Sequence, residues 1–301
     1  MGIRFGVGMG FVSYPALRDD FLFVESLGLE RAWVADQYAL PFAPDMPILE
    51  AWTALAALAV DTKRIRLGTM VTNVSTRNPA MLAKQVLTVD QISSGRVELA
   101  VGSGFYPEEH AYIGVEFPDL RGRSARLAEA VEILDRGLRG DHVTFTGTYF
   151  RLAEAPMHPA PIQRPRPPLY VAATVSASLR VAAHFGDAVV AIGGLDQEMG
   201  QSLTRFRERM SRLDEMCEAE GRHPASLRRC YVAGFANEPI FESNDSAADF
   251  IGRFAEAGAT DFCFDLYNPE QPAFASLVTS HRIADRDTLA RIVQDVLPEF
   301  C

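Results

Sequence analysis

Lysine is nearly absent from this chain of 301 residues: Lys63 and Lys84 are the only lysines among 29 basic residues. Acidic residues outnumber basic ones, and the formal net charge is −10. A protein that binds nucleic acid or an anionic membrane along one face needs a basic surface. The composition therefore argues against both kinds of partner, but it leaves room for a local arginine site that holds one phosphate.

Membrane and secretion signals are also missing. No stretch approaches the roughly 20 consecutive apolar residues of a membrane span. The opening MGIRFGVGMG lacks the basic start and long apolar run of a signal peptide. The four cysteines (Cys217, Cys230, Cys263 and Cys301) form no CxxC pair, and two lie in apolar strand-like runs. We therefore predict buried free thiols and a cytoplasmic location.

The usual hydrolytic motifs do not occur. There is no GxSxG and no HExxH, and the six histidines are scattered. Glu108 and Glu109 precede His110, a cluster that suits acid–base chemistry or a metal, but equally a solvated helix start with favourably placed acids. The chain thus lacks what a hydrolase needs, and we predict no metal site. Chemistry carried by an organic cofactor remains, with the protein supplying orientation.

What the sequence does contain is a repeated alternation of apolar strands and helical segments. The predicted strands are Ile3–Met9, Glu30–Asp36, Ile65–Thr72, Val97–Gly102, Leu169–Ala173, Asp187–Ile192, Arg229–Ala236 and Asp261–Leu266. Eight strand–helix units predict a parallel (β/α)₈ TIM barrel spanning residues 1–301 as a single domain. A doubly wound open sheet is the rival, but GVGMGF in the first strand lacks the GxGxxG continuation.

Residues 139–168 depart from the alternation. RGDHVTFTGTYFRL predicts a β-hairpin around a TG turn. The proline-dense run that follows must be extended, because proline fixes its own φ and restricts its predecessor. We interpret this insertion, between strands four and five, as a surface excursion.

Small, polar and aromatic residues follow several predicted strands. In such a barrel the carboxyl ends of the strands form one mouth, where the active site lies. Thr72, Asn73, Ser75 and Thr76 follow strand three, and we predict that this polar cluster is one wall of a pocket. Gly102 and Gly104 after strand four let the backbone approach a ligand closely, and Phe105 and Tyr106 offer ring faces. AATVSAS after strand five combines small side chains with a helix start, which is an anion site.

Each of these signals also has a plainer interpretation. GSG at a strand end is most often a turn, and serine or threonine before a helix is most often a cap. Their co-location on neighbouring strands favours a pocket.

One block is recognisable. LGTMVTNVSTRNPAMLAKQVLTVDQISSGRVELAVGSGFYPEEHAYIG (Leu67–Gly114) closely resembles the bacterial-luciferase-like superfamily of flavin and deazaflavin oxidoreductases. RSARLAEAVEIL (Arg123–Leu134), WVADQY and VAATVSAS also match in the family's order, so the resemblance covers nearly the whole chain. It implies a barrel that binds FMN or the deazaflavin coenzyme F420. It also implies a cis peptide or bulge at Met70–Val71 beneath the ring, and a phosphate loop at Ala172–Ser176.

The resemblance favours F420 and two-electron redox chemistry on a small, partly apolar organic substrate. The alternatives are an FMN-dependent monooxygenase that uses oxygen and a non-catalytic flavin-binding accessory protein. This chain differs from the deazaflavin branch at two positions. That branch commonly has Asp-His where this chain has Asp36–Gln37. It also commonly has a glycine-rich phosphate loop where this chain has AATVSAS, which resembles the FMN monooxygenases. Gln37 cannot donate a proton near neutral pH, but it can hydrogen-bond a ring or substrate.

The candidate catalytic residues are Asp36, Gln37 and Glu109. The candidate cofactor-binding residues are Met70, Val71, Thr72, Gly102, Ser103, Gly104, Phe105, Tyr106, Ala172, Ala173, Thr174, Val175 and Ser176. The loops after strands six to eight, with Phe241, Tyr267 and Phe274, are expected on the substrate side. A flavin or deazaflavin reductase is an expected partner, and a homodimer is the expected assembly.

Overall fold

A computed structural model describes residues 2–194 and 197–300. The strands in these ranges are β1 (Arg4–Met9), β2 (Arg31–Val34), β3 (Arg66–Asn73), β4 (Val97–Gly102), β5 (His142–Thr146), β6 (Arg151–Pro156), β7 (Leu169–Ala172), β8 (Ala188–Ile192), β9 (Arg228–Val232) and β10 (Asp261–Asp265). The helices are α1 (Tyr14–Ser26), α2 (Ala51–Asp61), α3 (Pro79–Ser93), α4 (Pro107–Tyr112), α5 (Leu120–Gly137), α6 (Ser176–Phe185), α7 (Met199–Ala219), α8 (Asn244–Glu256), α9 (Ala275–Thr279) and α10 (Arg286–Asp295).

The predicted barrel is confirmed. Eight parallel strands close in the order β1-β10-β9-β8-β7-β4-β3-β2, while β5 and β6 form a separate pair. The last barrel strand pairs with the first, and that register sets Gly8 opposite Asp265. Closure gives every barrel strand a neighbour on both sides, so the barrel has no open edge.

The core has two shells, because alternate residues of each strand face opposite sides of the sheet. The outer shell lies between strands and helices and holds most of the buried apolar side chains, such as Phe262 and Phe264 on β10. The inner shell fills the barrel. Its buried members are Trp33, Ala100, Tyr170, Ala188, Val190, Cys230, Val232 and Cys263.

Charged residues close the barrel at the amino-terminal ends of the strands. Glu98 accepts hydrogen bonds from Arg31 at 3.2 Å and from Arg66 at 2.5 Å. Asp261 similarly pairs with Arg4 and Arg228. Because each buried carboxylate lies between two guanidinium groups, the charges are compensated at this end.

Strand β3 is irregular where the family resemblance placed the irregularity. Its register against β4 shifts between Thr69 and Thr72, and the Met70–Val71 peptide is cis, as predicted. The Thr72 hydroxyl accepts from Trp52 Nε1 at 3.0 Å and donates to Thr69 Oγ1 at 2.9 Å.

The 139–168 insertion lies on the outside of the barrel. The predicted hairpin is confirmed as the antiparallel β5–β6 pair. Asp90 holds the returning segment by accepting from Ile162 N at 2.6 Å and from Gln163 Nε2 at 2.9 Å. Gln163 also donates to the carbonyl of Val97, the first residue of β4. The insertion is therefore tied at the amino-terminal end of the strands, away from the mouth.

Among the described residues, no helix has the length and apolar character to cross a membrane. Cys217, Cys230 and Cys263 are buried free thiols, as predicted, while Cys301 lies outside the described residues.

Candidate functional site

The floor of the mouth is apolar. Met70, Val71, Ala172 and Ile192 are half-buried and pack on top of the inner shell of the barrel. A β-carbon on Gly102 would lie 2.8 Å from Val71 Cγ2 and 3.4 Å from Ala172 Cβ. Glycine at this position therefore keeps side-chain atoms out of the space above the floor. A planar, apolar ring face fits such a floor.

Asp36 lies just beyond β2 and is bound by an arginine. Arg77 donates from Nε to Oδ2 at 3.1 Å and from Nη2 to Oδ1 at 2.6 Å, and it also contacts Glu50 at 2.8 Å. Burial raises the pKa of Asp36, while Arg77 opposes that rise. Because Arg77 is committed to two carboxylates, it is not available as the phosphate ligand that its place beside the mouth suggests.

Glu109 in α4 is buried and accepts a hydrogen bond from the backbone N–H of Tyr38 at 2.8 Å. Burial raises the pKa of Glu109, and the charge of Asp36 adds to the rise. The structure therefore brings two of the predicted catalytic residues together.

Gln37, the third predicted catalytic residue, has a buried amide oxygen without a hydrogen-bond partner among the described residues. Leaving a buried acceptor unpaired costs about 1–3 kcal/mol, and native proteins rarely tolerate it. An acceptor at the end of a barrel strand is suited to a ligand N–H or O–H.

The polar cluster after β3 is mostly structural. Asn73 Oδ1 accepts from Ser75 N at 2.9 Å, and Ser75 Oγ donates to the Ser103 carbonyl at 3.1 Å. Thr76 Oγ1 donates to the Asn73 carbonyl at 3.0 Å. The prediction that this cluster forms a pocket wall is therefore corrected for Asn73 and Ser75: both are buried, and Ser75 joins the ends of β3 and β4.

Thr72 also differs from its predicted place. Along a regular strand it would share a face with Met70, but the bulge moves Val71 inward and Thr72 outward. Thr72 is fully buried, and its hydroxyl bonds to Trp52 of α2. Thr72 therefore stabilises the floor from the outer side of β3, between the strand and α2.

Gly104 has a φ of +84°, and a β-carbon there would lie 2.8 Å from the Asn73 amide. The turn thus requires glycine. The Gly104 carbonyl accepts from Arg123 Nη1 at 2.7 Å. Beyond the turn, Phe105 is 65% exposed and Tyr106 lies against its edge, with the ring centroids 5.0 Å apart.

Helix α6 begins directly after β7 without a side-chain cap. Its cap residue is Val175, whose side chain has no oxygen. Five other helix starts are capped by the side chains of Glu50, Asn78, Asp119, Ser243 and Asp285, whereas α1, α4, α7 and α9 also lack a side-chain cap. The N–H groups of Ser176 and Ala177 have no acceptor among the described residues, and Thr174 and Ser176 are exposed. This helix start can bind an anion.

Ala173, predicted to contact the cofactor, is fully buried in the outer shell, and its N–H donates to the Val190 carbonyl at 3.0 Å. Its side chain therefore packs in the core and does not face the mouth.

Aromatic side chains form a rim. Phe274 lies 5.3 Å from Phe11 and 6.1 Å from Phe42, measured between ring centroids. Phe11 and Phe42, which the sequence did not single out, follow β1 and β2. The prediction for Phe241 is corrected, because this residue is buried and packs edge-on against Phe264. The predicted loop after β8 includes Leu195 and Asp196, which lie outside the described residues.

Sequence reasoning also missed Asp265. This residue ends β10 on the inward face, following Asp261 and Cys263 at intervals of two. It is partly exposed, and its carboxylate has no hydrogen bond or ion pair among the described residues. Burial raises its pKa from about 3.8 to about 7.

The fold and the mouth define a (β/α)₈ barrel whose polar and aromatic residues gather where such barrels carry their active sites. A model of the luciferase-like monooxygenase family matches residues 12–286. The chain therefore belongs to the luciferase-like monooxygenase family, and the resemblance found in the sequence is confirmed.

Two similar proteins are F420-dependent glucose-6-phosphate dehydrogenases. The one from Amycolatopsis mediterranei is 35% identical over 58% of this chain and 52% of its own length. The one from Kineococcus radiotolerans is 31% identical over 71% of this chain and 61% of its own length. The matches thus span about half to three fifths of these relatives.

A solved structure shares the fold. The coenzyme F420-dependent tetrahydromethanopterin reductase from Methanopyrus kandleri superposes with a TM-score of 0.79 over 100% of both chains, at 18% sequence identity.

Proposed function

We propose that this chain is an F420-dependent oxidoreductase that carries out two-electron redox chemistry on a small, partly apolar organic substrate. The observation that carries the proposal is the uncapped start of α6 at the edge of an apolar floor. A flat ring with a phosphate-bearing tail requires that pairing of surfaces. Both dehydrogenase relatives use the same cofactor.

The ring of the cofactor would lie on Met70 and Val71, with Gly102 and Ala172 beside them. The unpaired Gln37 amide oxygen would accept a hydrogen bond from the ring or substrate. Asp36 and Glu109 would flank it as polar groups. When bound, a deazaflavin supplies a carbon that gives or takes a hydride, and these residues hold the reacting groups in place and exclude water.

The phosphate would bind the start of α6. The N–H groups of Ser176 and Ala177 point along the helix axis, and the helix dipole adds favourable charge. Thr174 is exposed beside them and can donate its hydroxyl.

A groove beside this helix start favours F420 over FMN. It runs between α5 and α6 with a volume of about 840 Å³. Arg121 and Arg180 line it, and both are exposed with no ion pair or hydrogen bond in the described ranges 2–194 and 197–300. FMN ends in one phosphate, whereas F420 continues into an acidic tail that this groove would hold.

The substrate proposed here differs from the sugar phosphate of the two relatives. Neither lysine is at the mouth, since Lys63 donates to the Val60 carbonyl and Lys84 to that of His158. Arg77 is bound by two carboxylates. The aromatic rim instead favours an uncharged, partly apolar compound.

We further propose a cytoplasmic location and a separate reductase or dehydrogenase that regenerates the cofactor. The buried free thiols of Cys217, Cys230 and Cys263 suit a reducing compartment. A homodimer is proposed as well, since Val60 and Met81 on neighbouring helices are each 61% exposed.

The test is a titration of the purified protein with F420 and with FMN, followed by turnover with and without oxygen. We expect F420 to bind more tightly than FMN and to support turnover without oxygen. Its affinity should fall as salt rises, because Arg121 and Arg180 line the groove. Tighter binding of FMN, with an oxygen atom from O₂ appearing in the product, would show an FMN monooxygenase instead.

A further inference from the structure

Asp265 occupies space that a side chain on the neighbouring strand would otherwise fill. Gly8 lies opposite it in the β1–β10 register. A β-carbon built on Gly8 would collide with Asp265 Oδ1, and it would lie 3.4 Å from Cys263 Sγ. Glycine at this position thus allows an inward-pointing carboxylate at the top of the barrel.

The environment of Asp265 differs from that of the other mouth carboxylates. Asp36 is bound by Arg77, and Glu109 accepts a backbone N–H. Within the described ranges, Asp265 has neither a donor nor a cation. A partly buried carboxylate with only a structural role normally has such a partner.

We propose that Asp265 is the catalytic proton donor and acceptor of this site. The inference rests on the proposed function, because the reduction of a carbonyl group needs a proton as well as the hydride that the cofactor supplies. The proposed substrates are a carbonyl compound and the corresponding alcohol.

In reduction, the carbonyl carbon would gain a C–H bond from the hydride that a bound, reduced deazaflavin supplies. The π electron pair would move to the oxygen, which would take the proton from the Asp265 carboxyl group as that O–H bond breaks. The Asp265 carboxylate would regain a proton from water. In oxidation the carboxylate would remove the alcohol proton as the carbon loses its hydride to the oxidised cofactor.

The protonation behaviour of Asp265 supports this role. Burial raises its pKa to about 7, with no charged group contributing. Cys263 on the same strand is a titratable neighbour of Asp265, and burial raises the pKa of its thiol, which therefore stays neutral. Gly8 on β1 and Val232, which is opposite Cys263 on β9, do not titrate. Both forms of Asp265 are therefore populated near neutral pH, as a group that gives and takes a proton requires.

The first experiment uses the protein without cofactor. Infrared difference spectra recorded from pH 5 to pH 9 follow the C=O stretch of a protonated carboxyl group. We expect a band that titrates near pH 7 in the wild type and in the exposed-carboxylate control Asp45→Asn, and that is absent from Asp265→Asn. If the wild type has no such band, the proposal is overturned.

The second experiment measures F420 binding and then turnover, with 2-cyclohexen-1-one and cyclohexanone as probes. We expect Asp265→Asn to bind F420 within about threefold of the wild type and to lose roughly 10²–10⁴-fold in kcat, together with the limb of the pH profile near 7. Equal kcat and an unchanged profile would overturn the proposal. Failure of the wild type to bind F420 would instead refute the proposed function, and the infrared titration would still decide the state of Asp265.

A third variant tests position without removing the carboxylate. Gly8→Ala retains every titratable group but forces Asp265 to move. If it binds F420 normally, it should lose kcat as Asp265→Asn does. Wild-type kcat in a folded, cofactor-binding Gly8→Ala would contradict the assigned geometry. If neither probe is turned over by the wild type, the infrared result decides.

Discussion

Arg77 binds both carboxylate oxygens of Asp36, at 2.6 Å and 3.1 Å. The carboxylate is only 5% exposed, so the ion pair spans the boundary between the core and the mouth. Removing the arginine would leave a buried charge, which typically costs about 3–5 kcal/mol. We therefore expect Arg77→Ala to lower the free energy of unfolding by that amount at pH 7, as measured by urea denaturation.

Two further variants define this pair. Arg77→Lys keeps the charge but loses the two-pronged contact, so it should cost less than Arg77→Ala. Truncation of the exposed Arg151 should change the stability by no more than about 0.5 kcal/mol. A similar small effect for Arg77→Ala would mean that Asp36 is already neutral.

The unpaired Gln37 oxygen predicts opposite effects on stability and binding. Gln37→Leu removes a buried polar atom without a partner, so the cofactor-free protein should be no less stable than the wild type. Cofactor affinity should fall about tenfold, as measured by fluorescence titration. The matched control is Gln163→Leu, which breaks bonds to Asp90 and Val97. It should destabilise the protein and leave affinity unchanged. Loss of stability in Gln37→Leu would argue for a structural role.

The start of α6 also predicts effects of opposite sign. In Ser176→Glu, the acid near the helix N-terminus should stabilise the cofactor-free protein by about 0.3–1 kcal/mol and repel a bound phosphate. We expect the Tm to be unchanged or higher and the cofactor Kd to rise at least tenfold. Thr204→Glu, an exposed substitution near the start of α7, should not alter the Kd. Unchanged binding in Ser176→Glu would place the phosphate elsewhere.

Asp265 makes stability depend on pH in a direction unusual for a carboxyl group. Its pKa is about 7 in the folded chain and near 3.8 when the residue is free in solvent. Between these values the folded protein keeps a proton that the unfolded chain has lost, so stability falls as pH rises through this window. The loss is complete above pH 7 and amounts to about 4 kcal/mol at most, at 1.36 kcal/mol per pKa unit.

Asp265→Asn removes this penalty. We expect the stability of the variant relative to the wild type to rise by about 3 kcal/mol between pH 4.5 and pH 8, by urea denaturation at both values. Asp45→Asn, which removes an exposed carboxylate, should show no such divergence. Parallel stability curves for wild type and Asp265→Asn would mean that this carboxyl group titrates normally.

Local sequence predicted the elements well and their details less well. The alternation of apolar runs and turn residues predicts where the strands lie. Each strand is a short apolar run that can be recognised from its own sequence, without knowing which strands pair with it. The start of helix α6, at Ser176, is one such detail. Serine is a common cap and valine is not, yet Val175 holds the cap position.

The errors at the site arise from contacts between distant parts of the chain. A one-residue bulge moves Thr72 from the expected inner face to the outer one, and no local pattern reports the bulge. Phe241 was predicted as an aromatic residue in a substrate-side loop, but it packs against Phe264 of β10, a contact that its local sequence does not indicate. Asp265 was overlooked because its importance depends on Gly8, which is on a strand more than 250 residues earlier in the chain.

The ion pairs of Glu98 with Arg31 and Arg66 lie at the opposite end of the strands from the mouth. A six-residue strand spans about 20 Å, and substitutions separated by more than about 10 Å usually have additive effects. Mutations that remodel the aromatic rim therefore leave the stability supplied by this charged end intact. The barrel can in this way diverge toward new substrates over evolution, and a directed-evolution library for this chain should vary the loops after β1, β2 and β10 while keeping its charged end fixed.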